Sequence, residues 1–529
     1  MADGALGPIK HVVVLMLENR SFDNMLGWLY DPNNSAPFNQ PPSAGSFEGV
    51  WGKVPPLTNP SLPPPLPSIQ VPVGKGRKPT SPDVDPGEPY QDVYAQVYGQ
   101  QSVLALGQVP PNPPTACNMQ GFLYNYTLQC QAYEKKKGKT VDPNVIMNCF
   151  TSATVPVLWS LAFYYGCFDH WHASIPTQTL CNRSFLHAGT SSGYVNNGGG
   201  DGILFVNDTK TIFNLMQEAG KSWQIYCSSW EITSLALLTQ LQLWDKALSG
   251  HFSHLKEFVE AAGKPNGLPQ YSFIEPIYID SPLVWGAEND MHPEAWPWIF
   301  HAIDGPSNVE QGEKLLYTVY NAVRSSPDWD STLLLILFDE HGGCYDHVCP
   351  PAAIPPDNKV IPPSHTGGSG FKFDRLGVRV PAIVVSPYTP ERTVVNTVFD
   401  HTSALSTIVN CFGLPTGQLG NRQAAAPDIS AALTLPQART DHPPIPKPAG
   451  WKPSFAADLA DPAQMLLRAR NKPLTDLQQT ILIGAAHRLG MEASMIVEAS
   501  RPTNALDADA YLMRLEAELQ ARKVSGSGQ

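Results

Sequence analysis

His11-Val-Val-Val-Leu-Met-Leu17, followed at once by Glu18-Asn-Arg-Ser-Phe-Asp23, and Thr332-Leu-Leu-Leu-Ile-Leu-Phe338, followed by Asp339-Glu-His-Gly-Gly343, are the stretches that decide the fold. Both apolar runs are continuous rather than alternating, which predicts strands covered on both faces by helices. A third run, Val378-Arg-Val-Pro-Ala-Ile-Val-Val385, has the same character and ends in Ser386-Pro387. Three buried strands that each release polar residues at the carboxyl end describe an open α/β sheet with its chemistry outside one edge. The expected fold class is therefore α/β, a central, mostly parallel sheet flanked by helices.

Working outward, the 529 residues carry 35 Lys and Arg against 47 Asp and Glu, a formal net charge of −12. That balance excludes a basic surface for nucleic acid, which needs clustered positive charge. With 16% charged and 42% hydrophobic residues, disorder by self-repulsion is excluded and a large core can form. The 52 prolines are close to twice the usual share of about 5% and predict long ordered loops. Nine cysteines at irregular spacing favour free thiols over a disulfide framework or a zinc ribbon, with a local Cys344–Cys349 pair left open. The apolar run Val12–Leu17 is too short for a secretory signal, and no run approaches the roughly 20 residues of a membrane-spanning helix. The expected location is cytoplasmic as synthesised; export by a leaderless route or after removal of a leader stays open.

Between the first strand and about residue 115, Pro, Gly, Ser and Asn dominate, including Pro63-Pro-Pro65; this predicts loop wrapped around the core, without regular helix or central strand. Helical periodicity returns at Val157–Tyr165 and Leu315–Val323. After Trp451 the composition shifts to Ala, Leu, Gln, Arg and Glu. Leu474, Leu477, Ile481 and Ala485 mark one amphipathic helix, and Leu512, Leu515 and Leu519 a second with Asp507 as its expected cap. This divides the chain into a catalytic region, 1–450, and a C-terminal helical appendage, 451–529, with an unstructured Ser-Gly tail. Packing of the appendage on the core, self-association and the oligomeric state stay open.

Glu18, Asn19, Asp339 and Glu340 follow two buried strands directly. If the strands are neighbours, four hard oxygen-bearing side chains converge, as one divalent Ca²⁺, Mg²⁺ or Mn²⁺ requires, with Zn²⁺ also open. Gly342-Gly343 allows close backbone approach beside them. Thr177-Gln-Thr-Leu-Cys-Asn-Arg-Ser184 supplies hydroxyls, which are poor nucleophiles unless a base or a metal activates them. Arg183 can hold an anionic group, and Asn182 can donate to a developing charge. No G-x-S-x-G elbow surrounds these hydroxyls, so a metal-activated hydroxyl fits better than an α/β-hydrolase. His170 and His172 in Asp169-His-Trp-His172 are assigned a structural role. Tyr271, Tyr278, Trp285, Trp296 and Trp298 form either a cage for a quaternary ammonium or ordinary packing. Lys135-Lys-Lys-Gly-Lys139 reads as a solvated turn.

In order along the chain, Glu18-Asn-Arg-Ser-Phe-Asp23, Thr179-x-x-Asn182-Arg183, Glu275-Pro276, Asp290-x-His292-Pro293 and Asp339-Glu-His-Gly-Gly343 resemble a phosphoesterase family. It includes bacterial phosphatidylcholine-type phospholipases C, plant non-specific phospholipases C and a group of bacterial acid phosphatases. Weaker echoes are Gly377-Val-Arg-Val-Pro381 and Asp400-His-Thr-Ser403. The resemblance implies an alkaline-phosphatase-like fold and metal-assisted attack on phosphorus by Thr179, with Glu18, Asn19, Asp339 and Glu340 as metal ligands. It points to His292 as proton donor to the leaving oxygen, His341 and His401 being alternatives, and to Glu88, Glu275, Asp290, His341 and His401 as substrate contacts. The family's proline before the Asn-Arg pair is Cys181 here, and a family histidine in the Pro-rich stretch is replaced by Glu88 of Asp85-Pro-Gly-Glu88. The implied function is a phospholipase C acting on a phosphatidylcholine-like lipid through a phosphothreonine. The alternatives are an acid phosphatase on small phosphate esters and a catalytically silent binding protein. The implied partners are those substrates and a transient membrane-surface contact, without nucleic acid.

Overall fold

The structure is a computed structural model that describes residues 6–62, 67–99, 117–197, 207–281, 286–293, 309–357, 370–451, 470, 474, 476–490 and 502–526. Its centre is an eight-stranded sheet. The strands are β1 (His11–Leu17), β2 (Gly166–Phe168), β3 (Trp223–Cys227), β4 (Phe252–His254), β5 (Tyr271–Glu275), β6 (Thr332–Phe338), β7 (Ala382–Val385) and β8 (Thr393–Val395). Their order across the sheet is β8-β2-β7-β6-β1-β5-β3-β4.

Every residue of β1 and β6 is buried, as continuous Val, Leu and Ile runs require when both faces are covered. The two lie side by side and parallel, with His11 opposite Thr332 and Leu17 opposite Phe338. Both strands therefore end at the same level, and Glu18 and Asp339 emerge next to each other. On the other side of β1, β5 runs parallel with Leu15 opposite Ile274, which brings Glu275 to the same edge.

The third apolar run departs from expectation. β7 is antiparallel to both β6 and β2, so Ser386-Pro387 leaves from the opposite edge. The entering end, with Arg379, lies at the edge where Glu18 and Asp339 emerge, because Ala382 is opposite Leu337. A continuous apolar run is equally compatible with either strand direction, so direction is not encoded in the run itself.

The helical expectations hold at Pro156–Tyr164 and Val309–Arg324. The Pro-rich region is more regular than predicted: Phe22–Leu26 and Tyr90–Tyr98 are helical, the second where Pro and Gly thin out. Beyond residue 451, Asp476–Arg488 and Ala505–Gly526 are helices. Leu477, Ile481, Ala485, Leu512, Leu515 and Leu519 are buried in the same hydrophobic core as the sheet, so these helices pack on the core. The cap of the last helix is Asn504, not Asp507: Asn504 Oδ1 accepts the Asp507 N–H at 3.0 Å and Asn504 Nδ2 donates to Asp507 Oδ2 at 2.9 Å. That helix continues through Ser525 and Gly526, where the sequence predicts an unstructured tail.

Cysteine pairing also differs. Cys117 and Cys349 form a disulfide, while Cys344 is a buried free thiol, so neither nine thiols nor a local Cys344–Cys349 pair is present. The partners are 232 residues apart, a contact that local spacing does not reveal. Pro63-Pro-Pro65, Trp285, Trp296 and Trp298 lie outside the described residues. No helix among the described residues is long and apolar enough to cross a membrane.

Leu335 in β6 is 1% exposed and packs between β1 and β7. Leu335→Ala should lower unfolding free energy by about 2–5 kcal/mol, measured by urea denaturation, because a buried side chain is replaced by a cavity.

Candidate active site

The two strand ends bring the first and last motifs together. Asn19 adopts φ 53°, a left-handed conformation that costs a non-glycine residue about 1–3 kcal/mol and is held by its surroundings. Its N–H donates to Asp339 Oδ1 at 3.0 Å. Gly342, with φ 60°, lets the second motif close over the first: a Cβ there would lie 2.1 Å from the Asn19 carbonyl oxygen. Gly343 does the same toward the Pro-rich loop, where a Cβ would lie 2.6 Å from Pro86 Cβ. The close approach expected of this glycine pair is what the structure shows.

Thr179 begins the helix Thr179–Ala188, whose dipole favours an anion at this end, while the Leu180 N–H is taken by Asn197 Oδ1 at 2.8 Å. Its Oγ1 is 3.2 Å from Asn19 Oδ1 and 3.3 Å from Glu18 Oε2. Asn182 holds the turn before this helix: its Oδ1 accepts the Ile175 N–H at 3.0 Å and its Nδ2 donates to the Thr177 carbonyl at 2.7 Å. Its amide is thus directed into the turn and not toward a developing charge. Cys181, where the family has proline, donates Sγ to the Asn196 carbonyl.

Arg183 is fully buried beneath the carboxylates. Its Nε lies 2.9 Å from Glu18 Oε1 and 3.0 Å from Asp339 Oδ2, and its NH2 reaches the Met16 and Leu17 carbonyls. It braces the strand ends, where the sequence pointed to a grip on substrate anion. Glu18, Asp339 and Glu340 are all fully buried, and Arg183 pairs with the first two. Glu340 Oε2 accepts the Gly342 N–H at 2.8 Å, while Glu340 Oε1 is buried without a hydrogen-bond partner. Burial and the Asp339 charge push the Glu18 and Glu340 carboxyls well above the usual carboxylate range. An excess of two negative charges, hard oxygen donors and an orphaned carboxylate oxygen fit a divalent cation.

The neighbouring loop adds Glu88, which accepts from Asn19 Nδ2 at 2.5 Å and faces His292 Nε2 at 3.4 Å. Burial, then the charges of Asp85 and Glu340, raise the Glu88 carboxyl as well. Asp290 positions His292, whose N–H donates to Asp290 Oδ1 at 3.0 Å, and takes the Glu18 N–H on its own carbonyl at 2.9 Å. Sequence reasoning passed over Asp85, which lies with Glu88 and His292 in a group able to hold a metal ion; the signal was its place three residues before Glu88.

Other expected contacts sit behind this first layer. His341 Nε2 is 2.8 Å from Gln96 Oε1 and its Nδ1 3.3 Å from Glu340 Oε2; burial depresses its pKa to about 3, so it is neutral. His401 Nε2 is 2.6 Å from the Asp339 carbonyl. Glu275 is bound by Ser234, the Ala236 N–H and Tyr278. Tyr278 lies under Arg183, 5.3 Å from ring centroid to guanidinium carbon, and Tyr271 is in the core against Phe213, so neither forms a cage. His172 is buried on the Gly377 carbonyl, consistent with a structural role.

Asp23, the last residue of the first motif, meets Asp346 and His347, which lie beyond the second, in a second charged network. Arg379 pairs with Asp23 at 2.9 Å and Asp346 at 3.0 Å, and His347 bridges Asp23 and Glu48. The sequence analysis left Asp346, His347 and Arg379 without roles, although the first two lie three and four residues after the Asp339-Glu-His-Gly-Gly343 motif.

Because Glu18, Glu88 and Glu340 have folded-state pKa values above the ordinary 4.5, the metal-free folded protein holds protons that the unfolded chain releases. Their contribution to stability is full below that value and is lost as pH rises toward the folded values. The melting temperature of metal-stripped protein should fall as pH rises above about 4.5, and Glu340→Gln should flatten the slope. Parallel slopes in differential scanning calorimetry would contradict this assignment.

Comparison with known proteins identifies the family. The pattern described as the Phosphoesterase family matches residues 9–415, which spans all five motifs. Non-specific phospholipase C4 of Arabidopsis thaliana is 31% identical over 521 residues, covering 96% of this chain and 85% of its own. Phospholipase C A of Mycobacterium tuberculosis is 28% identical over 448 residues, covering 82% of this chain and 78% of its own. A solved protein in the alkaline phosphatase superfamily from Vibrio parahaemolyticus superposes with TM-score 0.29 at 14% identity, over 52% of this chain and 64% of its own. A superposition that loose leaves the fold to rest on the strand order itself. With a family match that runs from β1 past β8 and takes in every motif gathered at the sheet edge, the chain belongs to the phosphoesterase family and is a hydrolase of phosphoric ester bonds.

Proposed function

We propose that the protein is a phospholipase C that cleaves a phosphatidylcholine-like lipid to diacylglycerol and a phosphorylated headgroup. The observation that carries this reading is Thr179 Oγ1, at a helix N-terminus and within 3.3 Å of both Glu18 Oε2 and Asn19 Oδ1. Glu18, Asn19, Asp339 and Glu340 would hold one divalent cation, which supplies a lowered hydroxyl pKa and neutralises charge on phosphorus oxygens. Glu18 Oε2 and Asn19 Oδ1 orient the hydroxyl, while Arg183 fixes Glu18 and Asp339 from below. Thr179 attacks phosphorus, the diacylglycerol oxygen departs and takes up a proton, and water releases the headgroup phosphate from the phosphothreonine. The dipole of the helix that Thr179 begins favours the negatively charged phosphoryl group. Asp85, Glu88 and His292, across the Asn19 amide from Thr179, are assigned to the leaving-oxygen side.

The relatives named phospholipase C support the diester reading over a phosphomonoesterase. Side-by-side assays on phosphatidylcholine and an aryl phosphate should show preferential cleavage of the lipid; cleavage of the aryl ester alone would overturn it. Thr179→Ala should lower kcat/KM by at least about 10³-fold with an unchanged melting temperature and metal content. Retained turnover in that variant would remove Thr179 as nucleophile.

A further inference from the structure

Asp85, Glu88 and His292 each bring one donor atom to within 4.8 Å of the others. We propose that these three residues hold a second divalent cation, separate from the one assigned to Glu18, Asn19, Asp339 and Glu340.

The argument begins with the His292 ring. Nδ1 is 2.5 Å from the Pro293 carbonyl oxygen, which can only accept, so Nδ1 carries a proton. In the neutral ring, Nε2 then presents a lone pair, and it faces Glu88 Oε1 at 3.4 Å. The contact needs one positive charge between its two atoms, which a shared proton supplies in the metal-free protein and a divalent cation would supply in its place. Bonds of about 2.1 Å at a tetrahedral angle place two donor atoms about 3.4 Å apart, the separation found here. A histidine that gives its other N–H to a backbone carbonyl is the usual arrangement for a metal-binding imidazole, because it fixes tautomer and ring orientation. Glu88 has matching support, since its carboxylate is oriented by Asn19 Nδ2.

The position is distinct from the first. Asn19 turns Oδ1 toward Thr179 and Nδ2 toward Glu88, and an amide nitrogen bearing two hydrogens is no ligand. The Asn19 amide therefore separates the two places. The ligand-bearing loops are also fastened together: Arg20 donates Nε to the Met291 carbonyl and NH1 to the Ser81 carbonyl, both at 2.8 Å. The side chain of Asp85 is 37% exposed, which leaves an entry path, while those of His292 and Glu88 are 4% and 10% exposed. One imidazole with two carboxylates suits Zn²⁺ or Mn²⁺, in contrast to the all-oxygen first set. Its use, neutralising the departing oxygen, rests on the phosphoesterase mechanism proposed above; its binding does not.

The test is a metal count on the full-length protein loaded with Zn²⁺ and freed of excess by gel filtration. Wild type should retain about two ions per chain, and Glu88→Gln, which keeps an acceptor for Asn19, about one. The His292 ¹⁵N signals should shift on Zn²⁺ addition in wild type but not in that variant. Should Glu88→Gln fail to fold by circular dichroism, the half-exposed Asp85→Asn replaces it, with the same expected loss. One ion in wild type, two in the variants, or unchanged His292 signals, as for an imidazolium paired with Glu88, would overturn the proposal. The count is independent of turnover, so failure of the lipid assay leaves it standing, and failure of the count leaves the Thr179 mechanism standing.

Discussion

The parallel pairing of β1 with β6, in the register that sets Leu17 opposite Phe338, is the constraint on which the site depends. Both strands are apolar to their last residue and polar from the next, so matching their ends stacks Glu18 beside Asp339 at one level. A shift of one residue would turn each side chain to the other face and separate these carboxylates. Hydrophobic burial along seven paired positions thus sets the geometry of charged groups that would repel one another if left to choose.

That repulsion is answered in layers. Arg183 lies below Glu18 and Asp339, backbone N–H groups of Asn19, Glu340 and Gly342 are turned onto carboxylate oxygens, and His401 and His341 pack behind. Each group removes part of the cost of burying charge, yet the carboxylates still outnumber their cationic partner. The remaining electrostatic deficit suits a cation, because a neutral or apolar ligand would leave it unbalanced. The Pro-rich loop contributes to the same imbalance through Asp85 and Glu88, pressed onto the strand end by the absence of a side chain at Gly343.

The length of the two motifs has a physical explanation as well. Glu18 and Asn19 face the site, Arg20 ties two loops, Ser21 caps the helix Phe22–Leu26, and Asp23 joins Arg379 and His347 in a separate buried network. Asp339 and Glu340 likewise face the site while Asp346 and His347 meet that network. The residues directly after each strand line the site, and those further along anchor β7 and the loops, so the site sits on a rigid support.

The sequence by itself determined the central strands and the sheet edge at which Glu18, Asn19, Asp339 and Glu340 gather, because burial on both faces and abrupt polar ends are local properties written into consecutive residues. Tertiary structure alone decided the direction of β7, the Cys117–Cys349 bond, the bracing roles of Asn182 and Arg183, and the meeting of Asp85 with Glu88 and His292. Each of these depends on which distant atoms come within a few ångströms. Asn182 and Arg183 show the difference most clearly: their chemistry permits a grip on phosphate, but the atoms that reach them first are a turn carbonyl and two carboxylates. Residue type sets what a side chain can do, and packing selects which of those partners it meets.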